Sequence, residues 1–90
     1  QLLLSTYQDQ ASLVRRRLDR EIQLVEHIEA QLAIATKHGD DTAPRIAREL
    51  KDAQYWLERT QQEYELIQQE IASTKSELEH ARQSLKNPNE

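Results

Sequence analysis

Leu4, Tyr7, Ala11, Val14, Leu18, Glu21, Val25, Ile28, Leu32 and Ala35 follow one another at alternating steps of three and four residues. The pattern lapses at Lys37-His38-Gly39-Asp40-Asp41 and resumes with Ile46, Leu50, Ala53, Leu57, Thr60, Tyr64, Ile67, Ile71, Thr74, Leu78, Ala81 and Leu85. Side chains at a mean step of 3.5 return to one stripe of a helix, which is the seam of a coiled coil. The expected fold is therefore all-α, two long helices folded back on each other as an antiparallel coiled-coil hairpin.

The break between the two seams carries its own turn chemistry. Ser5 or Thr6 is expected to cap helix 1, which runs over residues 5–38, and Lys37 and His38 complement the helix dipole at its end. Gly39 can take the left-handed conformation that closes a helix. The turn covers residues 39–42, with Asp41 or Thr42 as the next N-cap, and Pro44 falls in the first turn of helix 2, where its missing N–H costs nothing. So short a connection forces the helices antiparallel. Helix 2, residues 43–86, meets no breaker before Asn87-Pro88-Asn89, so it outlasts helix 1. Leu78, Ala81 and Leu85 then need another subunit, further chain, or exposure to water.

Two irregularities in the stripe bear on function. With a positions at 4, 11, 18, 25 and 32, Glu21 is the single charge on a d position, and it must either reach a basic group or mark a place open to water. The apolar stripe is also wider than two helices require. Ile22 and Leu24 occupy e and g positions, Trp56 is a g position, and Leu13, Ile34, Tyr55 and Leu66 lie further out. Such width belongs to a helix of a globular bundle, or to a hairpin that lends its second face to a partner.

Composition narrows the function classes. The 90 residues are one domain at most; 37% are hydrophobic and 31% charged, which suits a two-helix surface better than a layered core. The net charge of −4 disfavours nonspecific nucleic-acid binding, and Arg15, Arg16, Arg17 and Arg20 form the one basic collar. Without cysteine there is no thiolate nucleophile, disulfide or cysteine-ligated metal. His27, His38 and His80 lack metal-ligand spacing, and two helices offer no pocket in which paired carboxylates could work as acid and base. No cofactor, metal, catalytic residue or transmembrane segment is expected. The start at Gln1 leads to the expectation of a piece of a longer protein, whose other regions would supply any peripheral membrane association.

The stretch from Leu18 to Leu32, with Ile46 to Gln54 and Leu57-Glu58, resembles an HR1 repeat, the hairpin that Rho effectors use to bind Rho-type GTPases. His27-Ile28-Glu29 stands where such repeats carry Gly-Ala-Glu. A second resemblance joins Leu13 to Arg16, Val25-Glu26, the turn at Lys37 and Gly39 to Asp41, and Ala43 to Arg48 to the central hairpin of the PspA and Vipp1 phage-shock proteins, which polymerise on membranes. The first implies a non-catalytic, cytoplasmic protein-binding module whose partner is a Rho-type GTPase. The second implies a scaffold that binds copies of itself, at the membrane periphery. For the first, the expected binding residues are Arg16, Arg17, Arg20, Leu24, Tyr55 and Trp56, aromatic and arginine anchors being the usual hot spots; the second is favoured by the surplus e and g hydrophobic residues and the unmatched end of helix 2.

Overall fold

A computed structural model describes residues 2–86. It contains α1, Leu2–Lys37, and α2, Ala43–Lys86, which pack antiparallel into a hairpin of 76 × 18 × 14 Å. The radius of gyration is 21.2 Å, against about 12 Å for a compact chain of this length. The molecule is a strut with one long interface.

That interface is the heptad seam. Ala11, Val14, Leu18, Val25, Ile28 and Ala35 of α1 are buried, as are Ile46, Ala53, Thr60, Ile71 and Thr74 of α2. Every other seam position up to Leu78 is half-buried, so the stripe of period 3.5 is the stripe that leaves water. Its two ends differ in quality. Val25, Ile28, Ala35, Ile46 and Ala53 form one apolar cluster near the turn, with Leu32, Ala43, Leu50 and Leu57 packed against it. Beyond the level of Glu21 and Thr60 the seam continues through Leu18, Val14 and Ala11, which lie outside that cluster.

The turn is closed by backbone hydrogen bonds. Asp40 N–H donates to Ala35 C=O at 2.9 Å and Gly39 N–H to Thr36 C=O at 3.2 Å, the paired bonds of a Schellman motif, with Gly39 at φ 62°. Ile46 N–H donates to Thr42 C=O at 3.0 Å, which makes Thr42 the N-cap of α2. Asp40 Oδ1 accepts the Thr42 N–H at 2.9 Å. Bonds from the Thr42 backbone and side chain, with Arg45 nearby, hold the Asp40 carboxyl below its usual 3.8 despite some desolvation.

The first helix begins three residues earlier than its capping residues imply. Thr6 Oγ1 donates back to Leu2 C=O at 3.0 Å, and Ser12 Oγ does the same to Gln8 C=O at 3.2 Å. Thr6 thus satisfies its hydroxyl inside the helix instead of starting one. Leu78 is half-buried, whereas Ala81 and Leu85 are exposed toward the end of α2. The expected breaker Asn87-Pro88-Asn89 lies outside the described residues.

Candidate interaction surface

The cross-helix register follows from one ion pair. Arg17 Nη2 meets Glu63 Oε2 across the seam, and both are g positions. In an antiparallel pair g residues flank g residues and e residues flank e residues, so the hairpin has two distinct sides. Leu24 and Trp56, each seven residues from one member of that pair, lie on its side and share a level with each other, one heptad nearer the turn.

Sorting the exposed large hydrophobic residues onto these sides separates them cleanly. Leu3, Leu24 and Trp56 are g positions, and Leu13, Ile34 and Leu66 are the neighbouring c positions. All six therefore line the c/g side. Tyr55 and Leu2 face outward at f, and Leu85 belongs to the unpaired end of the seam. The opposite e/b side carries no exposed large hydrophobic residue among those described. It presents instead Gln54, Gln61, Gln68 and charged groups, with Ile22 half-buried there.

The centre of the c/g side is polar and concave. A depression of about 540 Å³ is lined by Arg17, Glu21, Trp56, Arg59, Glu63 and Leu66, among others. Arg17 is shared between Glu63 across the seam and Glu21 on its own helix, 4.0 Å from Arg17 Nε. Four ångströms is an ionic contact and too long for a hydrogen bond. Arg17 Nε and Glu21 Oε2 are accordingly buried without a hydrogen-bond partner. Glu21 thus finds its basic group on its own helix, and Arg17 is the one that crosses.

Above this depression the aromatic pair is organised. The rings of Tyr55 and Trp56 meet edge to face, 5.2 Å between centroids at 69°, a favoured aromatic geometry. Arg59 lies 5.8 Å over the Tyr55 ring and donates to its hydroxyl at 3.4 Å. With no carboxylate partner among the described residues, Arg59 remains available on this side.

The six expected binding residues are divided by this geometry. Arg17, Arg20, Leu24 and Trp56 share the c/g side, and Tyr55 adjoins it through Trp56. Arg16 points outward at f, near Leu13, Asp19 and Arg20. The basic collar is not one patch, because successive residues turn by about 100° around a helix. Arg15 goes to the e side, where it pairs with Asp19 at 3.3 Å and lies 5.8 Å over the Tyr64 ring. Leu3, Leu13, Ile34 and Leu66 belong to the surface and were not among the six. Extending the heptad letters to c and g positions is the signal that finds them.

Among the described residues no group of three or more His, Asp or Glu could hold a metal ion, and no helix is long and apolar enough to cross a membrane. No protein-family model matches the chain, and no curated protein or solved structure matches it.

Proposed function

We propose that the chain is a non-catalytic protein-interaction module, a stiff hairpin that offers its c/g side to a protein partner. One observation carries this reading: the large hydrophobic residues left in water beside the paired seam gather on that side and avoid the other. An apolar surface longer than scattered single residues is the mark of an interaction site. The Leu24 and Trp56 layer supplies the anchor, and Arg17, Arg20, Arg59 and Glu63 supply the charged surroundings that fix orientation.

A photo-crosslinking pair tests the reading in the cells the protein comes from. A benzophenone amino acid at Gln31, a g position, should give protein crosslinks that the same group at Gln54, an e position, does not. Equal crosslinking from both sites, or none from either, would sink it. The Rho-type GTPase implied by the resemblance to HR1 repeats rests on that resemblance alone. It calls for binding that differs between GTP-analogue and GDP forms and is lost in Trp56→Ala. Self-association, the second reading, is favoured by the order of residues along the same side.

A further inference from the structure

We propose that the occupant of the c/g side is a second copy of the same chain, packed antiparallel across it to make a four-helix bundle; this rests on the reading of that side as a docking surface. The spacing of the exposed residues is the reason. On α1 they stand at 3, 13, 24 and 34, steps of ten, eleven and ten, a series that is its own reverse about the midpoint between Leu18 and Asp19. On α2 Trp56 and Leu66 are symmetric about Gln61. The Arg17–Glu63 pair sets Gln61 beside Asp19, so the two midpoints coincide to within about one residue, or 1.5 Å along the helix.

A two-fold axis through that level, lying in the face and perpendicular to the helices, reverses the second copy. Leu3 then meets Ile34, Leu13 meets Leu24, and Trp56 meets Leu66, each on the other copy. Charges follow the same operation. Arg59, which has no carboxylate partner among the described residues, meets Glu63 of the second copy, and Arg45 meets Glu77. Two like-charge meetings accompany these, Arg17 with Arg20 and Asp52 with Glu70; the first is offset by the Glu21 and Glu63 carboxylates already on Arg17. A parallel arrangement matches less fully: it seats Leu24 on Trp56 and Leu13 on Leu66, but it leaves Leu3 against Glu77 and Ile34 against Arg45. Isologous symmetry requires a self-complementary surface, and the reversed arrangement is the one that gives all six exposed hydrophobic residues an apolar mate.

The size is adequate. The strip from Leu3 to Ile34 is about 46 Å long at 1.5 Å per residue, and the hairpin is 18 Å wide. It offers roughly 800 Å² per copy, the standard contribution to a stable protein interface.

Sedimentation equilibrium of the full chain tests the association and a spin label tests its direction. The mass should rise with concentration to twice the 10.6 kDa of one chain. Leu24→Glu and Trp56→Glu should each weaken association by at least about 100-fold with helix content unchanged, since both side chains are exposed in the single hairpin. Gln54→Glu, on the e side, should leave association as it was. The chain has no cysteine, so Ala30→Cys accepts one label per copy, off the c/g side. The antiparallel bundle separates two such labels by about 35 Å along the axis, and a parallel one holds them within about 25 Å. Doubling of the mass with the long distance supports the proposal; the short distance overturns it. A monomer at every concentration also overturns it, while crosslinks from Gln31 to a different protein would leave the docking reading standing. A monomer without such crosslinks would remove both.

Discussion

Glu21 and Gly39 are the two positions where a single side chain, or its lack, decides local energetics. Glu21 brings a carboxylate into the seam with one oxygen unpaired, and its neighbour Arg17 keeps a second partner in Glu63. Replacing a poorly satisfied charge with an apolar group of similar volume is often stabilising. Glu21→Leu should therefore stabilise the hairpin by about 1 kcal/mol, read as a rise of a few degrees in the thermal midpoint by circular dichroism. A fall would mean that the Arg17 contact outweighs the desolvation of Glu21. Gly39 poses the opposite case. An added Cβ there would meet nothing within 4 Å, so crowding has no part in the outcome. The left-handed φ of 62° alone sets the penalty, and Gly39→Ala should cost about 1 kcal/mol, with Gly39→Asn costing less because asparagine tolerates that conformation. Equal stability of all three in urea melts would show that the turn relaxes out of its Schellman geometry.

The two helices are held unevenly, and that unevenness was only partly legible in the residue pattern. The seam itself was readable, because burial at a period of 3.5 needs no information beyond spacing. The start of α1 was not: Ser5 and Thr6 have the chemistry of caps, but Thr6 bonds to the carbonyl four residues back, a choice that spacing does not reveal. The register was open too, since several carboxylates on α2 could have met Arg17, and only Glu63 does. Once register is known, Glu21 and Thr60 mark a boundary between the apolar cluster near the turn and the thinner seam beyond it. Local opening follows the density of buried apolar contacts. Amides of residues 22–35 and 46–57 should exchange slowest in native-state hydrogen exchange, and those of residues 79–86 fastest. Uniform protection along both helices would show that the hairpin opens as one unit and that the Glu21 level is no boundary.

At the scale of the whole molecule, shape distinguishes the ways in which a strut can associate. Which side of the hairpin is apolar could be reached from heptad letters, but the reversal symmetry of that side emerges only when both helices are placed at common levels. The proposed axis crosses near the middle of a strut 76 Å long, so the two copies overlap along nearly their whole length. Side-by-side packing at an interaxial distance of about 10 Å adds mass close to the long axis, and the radius of gyration should rise from 21.2 Å by only about 1 Å. Joining through Leu85 and the unpaired end of α2 would instead roughly double the length, and with it the radius of gyration. Small-angle scattering over a concentration series separates these outcomes, because forward intensity reports mass while the low-angle slope reports length. Doubled mass at nearly constant radius of gyration is expected, and Trp56→Glu should return the mass to that of one chain. Growth in length along with mass would place the contact at the exposed end of α2, and the apolar c/g side would then have to serve a different protein.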